Sequence, residues 1–520
     1  MRTPGGQSRR EFLRVLGASA AAMALERWLP AAEPRRQRPN IVYILADDLG
    51  YGDLACQNPQ SKIPTPNLDR LAAQGVRFSD AHDPTAVCTP TRYGILTGRY
   101  CWRSRLKRGV LGGFSPPLIE PGRLTVPALL KQHGYATACV GKWHLGMGWP
   151  ARDGPAGDKG DEAPIDFTRP IADGPCTRGF DWFYGISASL DMPPYVFIEN
   201  DRTVVVPTAR QEALKGQFVR AGPKDPAFTF DGVLPQLTTK AVGWIGEQAG
   251  RADARPFFLY FALNAPHTPI APAAEFKDKS RAGAYGDFVV EVDWAVGEVL
   301  KALDVHKLAD DTLVIFTSDN GPETLAYERA RQFRHYSMGD LRGLKRDTWE
   351  GGHRVPYLAR WPGRIAPGSV SGEIICQTDL LATVAAIVGA KLPADAGEDS
   401  YNILPALLGE KLGQPIREAT VHHSCNGRFA IRQGRWVFID APTGDDNKEP
   451  DWLKKERGYE PHDQPGELYD LFQDLAERRN LYAQHPDKVR QLRALLEKYK
   501  ADGRSAPRMP PLVRGSAGDG

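Results

Sequence analysis

Asn40-Ile41-Val42-Tyr43-Ile44-Leu45-Ala46 is a short, almost wholly apolar run that stops abruptly at Asp47-Asp48. A strand buried on both faces of a parallel sheet has this texture, because neither of its faces meets water. The pattern returns at Tyr135 to Val140, ahead of Gly141-Lys142-Trp143-His144. It returns again at Phe257 to Leu263, ahead of Asn264-Ala265-Pro266-His267, and at Thr312 to Thr317, ahead of Ser318-Asp319-Asn320-Gly321. Helical patterns alternate with these runs. Thr65-Pro66 offers an N-cap and a first-turn proline, Leu68, Leu71 and Ala72 share one face, and Gly75 stops the helix before a short Val76-Arg77-Phe78 strand. Thr125 to His133 repeats the pattern up to Gly134, and further helices are expected at roughly 235–248 and 286–304. The alternation predicts an α/β domain, a mostly parallel sheet sandwiched by helices. Ligands of such sheets bind beyond the carboxyl ends of the strands, where each of the four runs places its unusual polar residues.

Outside these runs the texture changes twice. Residues 146–231 are rich in Gly, Pro and charge, with Arg178 to Gly185 and Asp191 to Tyr195 as the compact pieces; a long irregular insertion of this kind often shapes specificity. Beyond about residue 395, Ala419 to His423, Gly427 to Ile431 and Arg435 to Ile439 read as short strands. Asp487 to Lys500 reads as a helix with Val489, Leu492, Leu495, Leu496 and Tyr499 on one face. The expected organisation is a main domain over 38–395, a smaller C-terminal α+β domain with an antiparallel sheet over 396–503, and a disordered tail over 504–520.

The N-terminus carries Ser8-Arg9-Arg10-Glu11-Phe12-Leu13-Arg14, then a short apolar stretch to Leu25. It resembles a twin-arginine export signal over residues 1–32, which implies a twin-arginine translocase as partner and a periplasmic or extracellular mature chain. The stretch is shorter than the roughly 20 residues a membrane span needs, and nothing later is long enough, so no span is expected in the mature chain. Residues 1–40 hold eight arginines against three glutamates, a surplus that leaves the rest at about −2 of a formal total of +3. The body therefore lacks the basic excess of a nucleic-acid-binding protein. None of the seven cysteines lies in a zinc-type pair, and the six besides Cys88 permit disulfides without specifying any.

Four groups of residues carry chemistry. Asp47-Asp48 and Asp319-Asn320, at the ends of two buried strands, offer an all-oxygen donor set that suits a hard cation, Ca²⁺ or alternatively Mg²⁺. Either pair alone is better read as capping or a turn; it is the two together that suit a cation. Lys142 and Lys345 could serve as compact positive charges for an anion. His144 and His267, each just past a core strand, have the side-chain chemistry for proton transfer near neutrality. The run Val87-Cys88-Thr89-Pro90-Thr91-Arg92, followed by Leu96-Thr97-Gly98-Arg99, sets a cysteine, a proline and an arginine at fixed spacing; by itself it also suits a packing thiol ahead of a Pro-capped helix.

Taken together, these blocks resemble the type I sulfatases of the alkaline phosphatase superfamily. Cys88 to Arg99 resembles their first signature, Gly134 to His144 the second, and Gly343-Leu344-Lys345 with Trp349 to Gly352 a third block. The resemblance implies an alkaline-phosphatase-like fold and hydrolysis of a sulfate ester, on a carbohydrate or an aryl group. It implies that Cys88 is converted to 3-oxoalanine (formylglycine) by a formylglycine-generating or an anaerobic sulfatase-maturating enzyme. It further implies metal ligation by Asp47, Asp48, position 88, Asp319 and Asn320. Arg92 would hold the aldehyde diol, Lys142 and Lys345 would clamp sulfate, His144 would assist at the diol, and His267 would protonate the leaving oxygen. Two rival readings are a phosphonate or phosphodiester hydrolase on the same scaffold and a non-catalytic sulfated-glycan-binding protein that keeps its thiol. His422-His423 and Asp191 to Tyr195 are the expected pocket-lining segments.

Overall fold

The computed structural model describes residues 38–151, 164–253 and 255–507, and the chain from Arg38 onward is one compact unit. The export signal, and residues 508–520 of the expected tail, lie outside the described residues. The strands of the two main sheets are β1 Asn40–Ala46, β2 Val76–Phe78, β3 Ala136–Lys142, β4 Trp182–Ile186, β5 Ile198–Glu199, β6 Arg202–Thr203, β7 Phe257–Ala262, β8 Thr312–Ser318, β9 Tyr357–Arg360, β10 Ser369–Ser371, β11 Thr420–His423, β12 Phe429–Gln433, β13 Trp436–Ile439 and β14 Glu467–Asp470.

The first ten form a single sheet in the order β10-β2-β9-β8-β1-β7-β3-β4-β5-β6. Its centre, β8-β1-β7-β3-β4, is parallel throughout. The apolar runs are continuous because both faces are covered. Ile41, Tyr43 and Leu45 enter one core cluster, while Val42, Ile44 and Ala46 enter the other. The second face is covered by helices Pro66–Ala73, Val233–Ala249 and Gly283–Val305, and the first by Cys88–Thr97, Val126–Gln132 and Leu380–Val388. Since β1, β3, β7 and β8 run the same way, their carboxyl ends share one edge of the sheet.

The structure departs from the sequence reading at several points. The irregular 146–231 segment contributes a core strand: β4 pairs with β3 from Ala138↔Trp182 to Lys142↔Ile186. Gly185 is required there, because a Cβ at this position would lie 1.8 Å from the Gly141 carbonyl oxygen. Thr65 does not cap the first helix with its side chain. Asp293 caps it from the helix packed alongside, accepting from the Asn67 and Leu68 amides at 3.2 and 2.8 Å. Thr125 does cap its helix, accepting from Ala128 N–H at 3.2 Å.

The C-terminal antiparallel sheet has four strands, because β14 adds to β13, and helix Pro486–Ala501 packs on it through Val489, Leu492, Leu496 and Tyr499, with Leu495 only partly covered. At the start of the expected tail, Ser505 N–H donates to Asp399 Oδ1 at 2.9 Å, and Tyr401 OH donates to the Ser505 carbonyl at 2.6 Å. All seven cysteines are free. Among the described residues, no helix is long and apolar enough to cross a membrane.

One buried acid makes the fold pH-sensitive. Glu291, fully buried in helix Gly283–Val305, accepts from Ala273 N–H through Oε2 but leaves Oε1 without a partner. Burial pushes its carboxyl up to about 8 from an ordinary 4.5. The folded state thus favours the protonated form, so its contribution is fully present below pH 4.5 and is lost as pH rises toward about 8. Glu291→Gln is expected to raise Tm over wild type by a margin that grows across that window in thermal melts. A pH-independent difference would contradict this assignment.

Candidate active site

Ten residues named from the sequence converge at the shared strand edge. Asp47, Asp48, Arg92, Lys142, Asp319 and Asn320 are wholly buried, with Cys88 and His144 1% exposed, Lys345 4% and His267 6%. Helix Cys88–Thr97 starts at the cysteine itself after an extended Val87, so Cys88 and Arg92 are one turn apart on one face. Cys88 Sγ lies 3.6 Å from Asp47 Oδ1. Burial, only partly offset by Lys142 and Lys345, pushes the thiol well above its ordinary value, so an unmodified cysteine here would be a poor nucleophile.

The three carboxylates each have a cation. Lys142 Nζ is 2.6 Å from Asp47 Oδ2, Lys345 Nζ is 2.8 Å from Asp48 Oδ1, and Arg92 Nε donates to Asp319 Oδ2 at 2.9 Å. Arg92 also donates to the Lys142 carbonyl at 2.9 Å, which ties the helix to the end of β3. Burial opposes ionisation of Asp47, but Lys142, with His267, Arg92 and Lys345, outweighs it and holds the carboxyl far below its usual range. Asp319 moves the other way: burial and the neighbouring Asp47 charge raise it. Asn320 Nδ2 donates to Asp48 Oδ1 at 2.7 Å, while its Oδ1 is buried without a partner. Asp48 adopts a left-handed backbone, φ 68°, that few non-glycine residues accept. An orphaned amide oxygen beside three dry carboxylates fits a hard oxygen-seeking cation.

The histidines differ in kind. His144 also has a left-handed backbone, φ 56°, and its Nε2 lies 2.8 Å from the Leu111 carbonyl. That nitrogen carries the proton, so the buried, unpartnered Nδ1 is a bare acceptor. Burial, reinforced by Lys142, holds the ring neutral. His267 Nδ1 donates to the Thr268 carbonyl at 2.6 Å and its Nε2 is 3.6 Å from Asp48 Oδ2.

Above these groups opens a cavity of about 510 Å³ whose lining includes Cys88, His144, His267 and Lys345. Arg92 and Lys142 are wholly buried and are not among its lining residues. Asp191 and Met192 line it as the sequence reading expected, but His422 and His423 do not. His422 stacks on His353 at 3.8 Å, and His423 packs edge-on against Phe429 at 4.7 Å, because alternate residues of β11 are buried on both sides. The sequence reading missed several wall residues: Glu323 with Arg346, which are ion-paired at 2.6 Å, Phe218 and Arg220 from the insertion, and Asp446-Asn447. Glu323 and Arg346 adjoin named blocks and were within reach. Asp446-Asn447 come from a turn after β13 and carry no local signal.

A mostly parallel α/β sandwich with a buried carboxylate, lysine and histidine cluster at its strand edge has the charge and proton-transfer groups that hydrolysis of an anionic ester requires. Comparison with known proteins narrows this. The sulfatase family model matches residues 39–390. The chain is 36% identical to N-acetylgalactosamine-6-O-sulfatase of Bacteroides thetaiotaomicron over 508 residues, covering 89% of this chain and 93% of that one. It is 36% identical to arylsulfatase A of Homo sapiens over 473 residues, covering 88% and 85%. A solved structure from work on glycosaminoglycan metabolism by Bacteroides thetaiotaomicron superposes with a TM-score of 0.77 at 34% identity, covering 90% of this chain and all of that one. The phosphonate monoester hydrolase of Agrobacterium radiobacter shares the fold, with a TM-score of 0.59 at 19% identity. The chain belongs to the sulfatase family. It is a sulfatase, an enzyme that hydrolyses sulfate esters.

Proposed function

We propose that this enzyme removes sulfate from a carbohydrate through a formylglycine made from Cys88. The observation that carries the reading is the placement of Cys88 at a helix start, facing Asp47 and opening into a cavity that His267 and Lys345 also line. Export by a twin-arginine signal would suit a chain whose residue 88 is modified before it leaves the cytoplasm.

Once converted, position 88 would offer the two hydroxyls of a hydrated aldehyde, one as the nucleophile toward sulfur and one whose ionisation would let the aldehyde re-form. Asp47, Asp48, Asp319, Asn320 and position 88 would hold a divalent cation, Ca²⁺ or alternatively Mg²⁺, which would supply charge stabilisation for sulfate oxygens. Lys345, in the cavity lining, neutralises sulfate charge; Lys142, wholly buried and outside that lining, acts through Asp47, whose charge it sets. Arg92 fixes Asp319 and the end of β3. His144 Nδ1 is the bare acceptor placed to take a proton from the diol. Because Nδ1–H of His267 is committed to Thr268, Nε2 is the nitrogen free to face the leaving group, and it is the imidazolium form, with Nε2–H beside Asp48 Oδ2 at 3.6 Å, that hands a proton to the departing oxygen and is left neutral. His267→Ala is therefore expected to slow a sugar sulfate by roughly 10²- to 10⁴-fold. An aryl sulfate with an acidic phenol should suffer much less, since that leaving group departs unprotonated. Equal losses in steady-state kcat for both would contradict the acid role.

The carbohydrate reading rests on the wall: Glu323, Arg346, Asp446 and Asn447 supply donors and acceptors for hydroxyls, and Phe218, 53% exposed, supplies a flat apolar face. Desulfation of a panel of sulfated mono- and oligosaccharides, beside an aryl sulfate and an aryl phosphodiester, tests it. Highest kcat/KM on a sugar sulfate is expected; faster turnover of the phosphodiester would contradict the reading.

A further inference from the structure

Away from the catalytic cavity, where the C-terminal sheet meets the main sheet's loops, three distant stretches bring histidines together. His82 follows Ala81, His353 ends helix Glu350–His353, and His422 lies on β11; all three are wholly buried. Each ring has one nitrogen committed to an oxygen acceptor. His82 Nε2 is 2.7 Å from Asp80 Oδ1, His353 Nε2 is 3.1 Å from the Thr348 carbonyl, and His422 Nδ1 is 2.9 Å from the Asp83 carbonyl. A ring nitrogen facing such an oxygen carries the proton, so on neutral rings the other three nitrogens present lone pairs. His82 Nδ1 and His353 Nδ1 then face each other at 3.1 Å, and His422 Nε2 has no hydrogen-bond partner. One nitrogen from each ring lies within 4.8 Å of one from the others. Opposed lone pairs at that distance in a dry interior repel unless a proton or a metal cation stands between them.

We propose that His82, His353 and His422 form a second metal site, for a nitrogen-seeking divalent ion of the zinc type, distinct from the all-oxygen set at the strand edge. Anchoring of each ring's far nitrogen by a carboxylate or carbonyl is the support that orients metal-ligating histidines. Glu350 lies on the other side of His82, grouped with Asp80 and His82 and not with His353 and His422, and its Oε2 is held by Arg354 at 3.0 Å and Arg432 at 3.3 Å, so the fourth position falls to a water. Arg432 NH1 also lies 3.0 Å from His82 Nε2, but it donates to Asp80 Oδ1 at 2.6 Å and leaves the His82 proton its own path to that carboxylate. The His353 and His422 rings are parallel at 3.8 Å, so binding by all three turns the His422 ring out of the stack. The closed, buried setting makes the site structural. It clamps β11 to the segment between His82 and Cys88, and so fixes the cavity rim.

The test is metal content of untagged protein purified without chelating resin, reconstituted with Zn²⁺ and Ca²⁺ and dialysed against a weak chelator. One zinc per chain is expected, retained in Asp319→Asn, which cripples the oxygen site, and lost in His422→Gln and His353→Gln. Cobalt in its place should give the visible bands of a tetrahedral nitrogen-ligated ion, a readout on wild-type protein that holds even where the histidine variants fail to fold. No zinc in the reconstituted wild type overturns the proposal, as do zinc unchanged in folded histidine variants and zinc lost in Asp319→Asn.

Discussion

Cys88→Ala, made in a host that matures sulfatases, is expected to fold normally and to lose turnover by on the order of 10⁴-fold or more, since removing a nucleophile leaves only binding and electrostatic help. Normal folding is expected because Cys88 contributes little packing beyond its Sγ, whose one polar contact is Asp47 at 3.6 Å. The two readouts separate the chemistry from the scaffold. Near wild-type Tm with activity gone places position 88 in the reaction; retained activity removes it. Burial raises the pKa of the unmodified thiol, which works against its acting as the nucleophile.

Lys142→Met should damage both stability and rate. The Lys142 ammonium and the Asp47 carboxylate are both fully buried at 2.6 Å, and methionine keeps the apolar stem while removing the charge. Breaking such a pair strands a carboxylate in the interior, at a cost of about 3–5 kcal/mol. Arg92, 3.8 Å from Asp47, compensates only in part because it is committed to Asp319. The rate should fall by roughly 10²- to 10³-fold, the range for loss of one preorganised charge. Thermal melts and steady-state kinetics on one preparation check this. Added Ca²⁺ should recover part of the lost Tm, because an ion at Asp47 replaces the missing positive charge. A variant as stable as wild type, with or without Ca²⁺, would mean that Lys142 is not the partner that keeps Asp47 ionised.

Much of the candidate site was legible because its residues sit immediately after strands whose burial on both faces makes them stand out. Asp47, Lys142, His267 and Asp319 each end an apolar run, and parallel pairing of β8, β1, β7 and β3 is enough to bring them together. What escaped is what depends on distant packing. The β4 strand hides in a segment of glycines and prolines because its alternation is interrupted by Gly185, which exists to let two backbones touch. The cap at Asn67 comes from Asp293 on another helix, which no local pattern announces. His422-His423 looked like a pocket motif, yet β11 is covered on both sides and turns His422 into the buried histidine cluster instead. The rim residues Asp446 and Asn447 reach the site only through the C-terminal sheet, with Asn447 Nδ2 donating to the Lys345 carbonyl at 2.6 Å.

The central claim is chemical: residue 88 of the working enzyme is not cysteine. Intact mass of the tryptic peptide that spans Cys88, from active protein, should show a loss of about 18 Da relative to the encoded sequence, the difference between a thiol side chain and an aldehyde. The same peptide should react with a hydrazide probe. An unmodified thiol at position 88 in fully active protein would contradict the account.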